Sequence, residues 1–288
     1  MDVIEYVGAV PKPPSLVDGM PNSVYHKAPG VSGSGLHVIQ QFSPAHYAYG
    51  GTDDDKDQRP KEMGTAIHTA LLEPDRFASE YMLLRDVPDR RASEYKEAAK
   101  VYGKDKTLAG KEADKVSGMQ AAVHAHTRAR ELIDDAAVHE LSAFATDPYT
   151  DTLVRCRPDI VTHSGAIVDL KKARDARERP FASACVNYGY DLKAAFYCDV
   201  WEWATGAPPS AYYLLVVEEQ PPHAVRVYTM PDDWMQRGRR LYREALDLYA
   251  QCRANDEWPA YGDGEECLMP PSWVTYEMEQ EETEGVTI

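Results

Sequence analysis

Several things are missing from this sequence, and each absence removes a class of protein. No window approaches the roughly 18 uninterrupted apolar residues that a membrane-crossing helix needs. The N-terminal MDVIEYVGAVPKPPS lacks a basic stretch followed by an apolar one, so no secretory signal and a cytoplasmic setting are expected. The five cysteines (Cys156, Cys185, Cys198, Cys252, Cys267) are odd in number and include no CxxC pair. That argues against a disulfide framework, and their irregular spacing argues against a four-cysteine iron–sulfur cluster. A surplus of positive charge is missing too: 31 Lys and Arg against 47 Asp and Glu give a net charge of −16. That sign does not suit a protein that simply coats nucleic acid.

The composition that remains is ordinary for a soluble globular protein, 43% hydrophobic and 27% charged over 288 residues, enough to bury a core. The charge is unevenly spread. Acids gather at Asp53–Asp55 and in a tail from Glu277 to Glu284, and bases at Arg85–Arg91, Lys171–Arg179 and Arg237–Arg243. Residues 1–30, rich in Pro and Gly, are expected to form an extended arm. A single domain is expected over 31–273, helical over 31–137 and with a sheet core over 138–262, followed by an acidic tail over 274–288.

The pattern SGSGLHVIQQFSPAHY predicts a short helix capped by Ser34 and ending before Pro44. GGTDDDKDQRP reads as a polar loop, and KEMGTAIHTALLEP as a helix burying Ile67, Ala70 and Leu71, with His68 one turn after Gly64. Residues 91–135 are helical in composition, with a break over Gly103–Gly110. Then the character changes. HELSAFAT, TLVRCRPDIVTH and IVDLKKA alternate like strands and predict an antiparallel meander. A long helix over Phe181–Trp203 follows, with the apolar stripe Phe181, Cys185, Tyr188, Leu192, Ala195 and Cys198; Gly189 marks close packing or a bend within it. Strands over 211–219 and 224–230 come next. A last helix over Asp232–Arg253 has its seam at Trp234, Gly238, Leu241, Ala245, Leu248 and Cys252. The order predicts an α/β fold, a central mixed β-sheet flanked by helices.

The chemistry concentrates in RCRPDIVTHSGAIVDLKK, residues 155–172, where Asp159, Asp169 and Lys171 stand as acid, nine residues, then acid-x-lysine. Two acids can hold a hard divalent cation by oxygen, and an ammonium beside them can orient water or offset developing negative charge. A three-residue turn, His163-Ser164-Gly165, with Gly165 in the left-handed conformation, pairs Asp159 directly with Asp169. A two-residue turn would put the acids on opposite faces. The three-residue form is therefore expected, and Pro158, unable to donate to a ladder, predicts an irregular strand just before Asp159.

These features, a hairpin with two acids and a lysine, a preceding strand carrying Glu140 and a following helix, resemble the core of PD-(D/E)xK nucleases. GTAIHTALLEP looks like the histidine motif of the RecB-like branch. RPDI, VDLKKA, NYGYDLKAAFYCD and NDEWPAYG together are similar to the RecE family of exodeoxyribonucleases VIII, from about Ser32 to Gly262. The resemblance implies Asp159 and Asp169 as metal ligands with His68 and Glu140, Mg2+ as the metal with Mn2+ as a substitute, and Lys171 as the residue that assists the attacking water. It implies DNA contacts from Lys193 and Tyr197 on the long helix and from Lys172 and Arg174 beside the site. Where the family has Gln-x3-Tyr, this chain has Lys193 and Tyr197 with three residues between, so a phosphate donor is kept and the amide acceptor is lost. The implied activity is 5′-to-3′ digestion of linear double-stranded DNA to 3′ single-stranded ends in phage or prophage recombination. The implied partners are a RecT-type single-strand annealing protein and further copies of the chain in a ring-shaped homo-oligomer, most simply a tetramer. A PD-(D/E)xK endonuclease and a catalytically decayed DNA-binding protein are the alternatives.

Overall fold

The computed structural model describes residues 2–50, 59–271, 273–276 and 279–280. The chain opens with β1 (Val3–Glu5), β2 (Ser15–Asp18), α1 (Asn22–Lys27), β3 (Val31–Ser32), α2 (Gly33–Gln41) and α3 (Pro44–Ala48). A mainly helical stretch follows: α4 (Arg59–Leu72), α5 (Pro74–Glu80), β4 (Met82–Leu84), α6 (Ser93–Tyr102), β5 (Thr107–Ala109), α7 (Lys111–Ala125) and α8 (Thr127–Asp134). Then come β6 (Ala136–His139), β7 (Ser142–Thr146), β8 (Leu153–Cys156), β9 (Ile160–Thr162) and β10 (Ile167–Ala173). The chain continues through α9 (Glu178–Asn187), α10 (Tyr190–Thr205), β11 (Tyr212–Glu218), β12 (Val225–Thr229) and α11 (Asp232–Asn255).

The architecture is α/β with mixed sheets flanked by helices, as the sequence predicts, but the strands divide between two five-stranded sheets. One runs β1-β2-β7-β8-β3 and the other β12-β11-β10-β9-β6. The strands expected over 139–146 and 152–163 each break midway. Their first and second halves enter different sheets, so a bent two-stranded ribbon joins the two. In the second sheet β10 and β11 pair in parallel from Ile167↔Tyr212 to Ala173↔Glu218. Such a strand, covered on both faces, reads as a continuous apolar run, and YYLLVV in β11 is one.

One face of that sheet buries Ile160, Val168, Leu170, Leu215 and Val217 with α4 and α7, through Ile67, Val116 and Met119. The other face buries Ile167, Leu214 and Val216 with Phe181, Cys185, Ala194 and Cys198. The first sheet packs Ala143, Val154 and Cys156 on Leu36, Leu192, Phe196, Leu241 and Leu246. Helix α10 contributes to both of the last two cores, which explains why it is apolar around most of its circumference.

Several expectations are corrected. The first 30 residues are not an extended arm: β2 pairs antiparallel with β7 (Leu16↔Ala143), and Leu16, Val17, Met20 and Tyr25 are buried. The cap of α2 is Ser32, whose hydroxyl accepts from Gly35 N at 3.3 Å, not Ser34. The long helix is two, α9 and α10, separated at Gly189 with φ +61°; a Cβ there would lie 2.3 Å from His37 Nδ1. Tyr188 and Leu248, expected on buried seams, are exposed; Tyr242, Leu246 and Tyr249 complete the buried face of α11. The five cysteines are free thiols. Most of the polar loop expected over 50–60, and the end of the acidic tail, lie outside the described residues.

Candidate active site

The site forms where both halves of the ribbon break. Between β8 and β9 lies Arg157-Pro158-Asp159, where Pro158 has no N–H to give and pairing lapses. Past the lapse the hairpin register is Val161↔Ile167 and Ile160↔Val168. Continued by one residue, it sets Asp159 opposite Asp169, as the three-residue turn requires. Gly165, at φ +80°, closes that turn by donating to Thr162 O at 2.9 Å.

Between β6 and β7 the break falls at Glu140, whose φ of +51° is left-handed. That conformation costs a residue with a side chain about 1–2 kcal/mol. The neighbouring break supports it: Glu140 N donates to Asp159 O at 3.0 Å, and Arg157 Nε donates to Glu140 O at 3.0 Å. The buried Arg157 also donates to Met20 O and to Asn22 Oδ1, so it ties Glu140 to the N-terminal segment. Arg155, two residues earlier and facing the same way, donates to Ala28, Gly30 and His26 carbonyls. The Tyr25 ring lies 5.3 Å from one guanidinium and 4.7 Å from the other.

His68 reaches the same point from α4, with Nδ1 3.7 Å from Asp159 Oδ2. His68, Glu140 and Asp159 each offer one ligand atom, all within 4.8 Å of one another. Asp169 stands beside this group but is engaged by Lys171, whose Nζ is 2.5 Å from its Oδ2. Asp159 Oδ2 accepts from Leu170 N at 2.6 Å, which fixes one of its oxygens.

The electrostatics are those of carboxyls that are buried and crowded together. Burial, and then the Asp159 charge, push Glu140 up to about 8 against the pull of Arg157. Burial also raises Asp159; Asp169 adds to the shift and His68 and Lys171 oppose it. Burial alone would lower Lys171, but the Asp169 and Asp159 carboxylates outweigh it and the net shift is upward. An imidazole and two carboxylates at this spacing, with the acids destabilised as anions, fit a divalent cation held by nitrogen and oxygen.

A cleft of about 760 Å³ runs from these residues between the 18–23 segment, α4 and the turn at 105–106. Lys61, Arg76, Lys106 and Arg157 line it beside Asp18, Glu73, Asp105 and Glu140. The remaining expected contacts divide. Lys193 lies near Lys171 and donates to Tyr188 O at 3.1 Å; burial, and then the Lys171 charge, lower it to about 8. Tyr197 shares its helix face, and both pack on Gly33. Lys172, by contrast, is turned away to an ion pair with Glu219 at 2.8 Å, and Arg174 is exposed just past β10. Sequence reasoning gave no role to Arg157 or Tyr190. The signal for the first was the alternation Arg155-Cys-Arg157, which puts two cations on one face of a strand.

The comparisons with known proteins bear on the fold and the family. No curated protein matches the chain. A solved structure of a candidate exonuclease from Eubacterium rectale is 12% identical, with 88% of this chain and 95% of that one covered and a TM-score of 0.58. A phage related exonuclease from Haemophilus somnus is 14% identical, with 81% and 100% covered and a TM-score of 0.34. At such identities the first likeness is one of fold, and the second carries no argument. A family model described as a PDDEXK-like domain of unknown function (DUF3799) matches residues 32–270. That span takes in α2, the helix bearing His68 and the whole ribbon with its two breaks, and by it the chain belongs to this PDDEXK-like family.

Proposed function

We propose that the chain is a metal-dependent exodeoxyribonuclease that degrades linear double-stranded DNA from 5′ to 3′. It would leave 3′ single-stranded ends for phage or prophage recombination. The observation that carries this reading is the gathering of His68, Glu140 and Asp159 beside the Asp169–Lys171 pair, at the break of a ribbon in a PDDEXK-like fold. The fold likeness to the Eubacterium rectale candidate exonuclease supports it.

His68, Glu140, Asp159 and Asp169 would hold Mg2+, or Mn2+ in its place, which supplies polarisation of the phosphate and a bound water of lowered pKa. Lys171 is held as an ammonium by the Asp169 and Asp159 carboxylates beside it. It acts as a donor that orients the attacking water and offsets negative charge on the phosphate as the P–O bond breaks. Lys193 and Tyr197 contact the DNA backbone from α10, and Arg174 adds an exposed cation nearby. The resemblance to RecE proteins extends the reading to a ring-shaped homo-oligomer, with a RecT-type annealing protein receiving the single strand in the cytoplasm.

The test is digestion of linear duplex labelled at either the 5′ or the 3′ end, beside a closed circle, in Mg2+. Early release of the 5′ label with an intact circle is expected. Cutting of the circle would favour an endonuclease. Loss of the 3′ label first would reverse the polarity, and no digestion in Mg2+ or Mn2+ would favour a decayed binding protein.

A further inference from the structure

Tyr190 opens α10, immediately after the left-handed Gly189. Its ring centroid lies 5.0 Å from Lys171 Nζ and 5.7 Å from Lys193 Nζ, both within reach of a cation–π attraction. The two lysines come from different elements, β10 and α10, and both lie over this ring. The ring is itself held. Phe181 lies against it at a centroid distance of 6.1 Å and Tyr188 at 5.7 Å. Phe181 in turn stacks on Tyr228 at 5.5 Å, with an interplanar angle of 10°.

Two ammonium groups brought close repel each other unless negative charge lies between or beside them. Asp169 supplies that for Lys171. Lys193 donates to a carbonyl, Tyr188 O, and the Asp169 charge acts on it from further away. A π face attracts cations without accepting a proton and without competing as an anion for a metal, so it can keep two lysines near a phosphate that each can still contact. A carboxylate in the same place would cancel one of the two charges and compete with the phosphate for both lysines.

We propose that Tyr190 is a positioning residue whose ring holds Lys171 and Lys193 as a pair aimed at one phosphodiester group. The pair donates to non-bridging oxygens of that phosphate. This rests on the nuclease reading above and names the group through which two of its cations act together. The ring matters and the phenol hydroxyl does not.

The test compares Tyr190→Leu with Tyr190→Phe in steady-state digestion of linear duplex over a range of DNA concentrations. Leucine fills much of the space without a quadrupole, and kcat is expected to fall about ten- to thirtyfold, with a much smaller change in KM. Phenylalanine keeps the ring and recovers most of the rate. In a Lys193→Ala background the penalty for Tyr190→Leu shrinks, because half of what the ring holds is gone. A second readout needs no catalysis: acetylation of Lys193 by a small acylating reagent, followed by mass spectrometry, is faster in Tyr190→Leu than in wild type and not in Tyr190→Phe. Should Tyr190→Leu melt below wild type, Tyr190→Met takes its place. Equal losses from Phe and Leu, or wild-type rate and acylation in the Leu variant, would overturn the proposal. A wild-type chain that digests no DNA would instead sink the nuclease reading, and the acylation arm would still decide whether the ring holds the lysines.

Discussion

Cation binding should release a proton, and Glu140 says roughly how much. With its carboxyl held at about 8, about nine molecules in ten carry that proton at pH 7. A divalent ion needs the carboxylate, so each ion bound at pH 7 expels close to one proton. The sign follows directly: affinity is greatest above pH 8 and weakens steadily as pH falls below it. One unit between pH 7 and the shifted value corresponds to about 1.4 kcal/mol, or about tenfold in apparent Kd. The Glu140 side chain keeps 33% of its surface exposed, and solvent screening trims the effect, so we expect about three- to tenfold between pH 7 and pH 9. Asp159, also raised, acts in the same direction. Calorimetric titration with MnCl2 at pH 7, in Pipes and in Tris, measures the proton count from the difference in apparent enthalpy. Glu140→Gln should remove most of that difference. Equal enthalpies in the two buffers, with the same Kd at pH 7 and pH 9, would refute the electrostatic account of the site.

Removing the Lys171 ammonium, as in Lys171→Ala, should lower kcat by about 10²–10³ while metal binding survives; a matching loss of metal binding would assign the lysine to structure instead. Asp169→Ala should abolish Mg2+-dependent digestion, and unchanged digestion would mean that Asp159 and Asp169 are not the site. Arg157→Ala leaves the Met20 and Glu140 carbonyls without their donor, at about 1–3 kcal/mol each. Urea unfolding should report the loss, Arg157→Lys should recover only part of it because an ammonium cannot reproduce the fork, and a change below about 0.5 kcal/mol would contradict the role given to this residue. Gly189→Ala combines a left-handed backbone with a Cβ 2.3 Å from His37 Nδ1. It should cost at least about 2 kcal/mol, and His37→Ala in the same chain should return the part due to the collision.

How far the site could be read from the sequence depended on the distance over which the information was carried. The pairing of Asp159 with Asp169 was legible because one short turn sets it, and Gly165 can be recognised as the residue that turn demands. The irregularity before Asp159 was legible from Pro158 for the same reason. The division into two sheets was not. It depends on Glu140 taking a left-handed conformation that glutamate does not advertise, and on an arginine seventeen residues away holding its carbonyl. The strand Ser15–Asp18 was invisible since the strand that completes it, β7, lies more than 120 residues further on, and SLVD alone carries no period worth reading. Gly189 was legible as a point of close packing, which His37 confirms, but not as the stop that its positive φ makes between two helices. Tyr190 looked like one aromatic among several until the fold brought two lysines over it.

The arginines that clasp the N-terminal segment bear on when this protein can complete its fold. Arg155 and Arg157 bond to backbone carbonyls 125 to 137 residues earlier in the chain. On a ribosome adding about 5–20 residues per second, the segment around Met20 waits roughly 6–27 s before those arginines emerge. Lys193 appears later still. Contacts that close such long loops form late, because their entropic cost precedes any gain. No nascent fragment ending short of α10 can hold His68, Glu140, Asp159, Lys171 and Lys193 in one place. A chain that stops before α10 therefore lacks both the Lys193 ammonium and the helix that packs against both sheets.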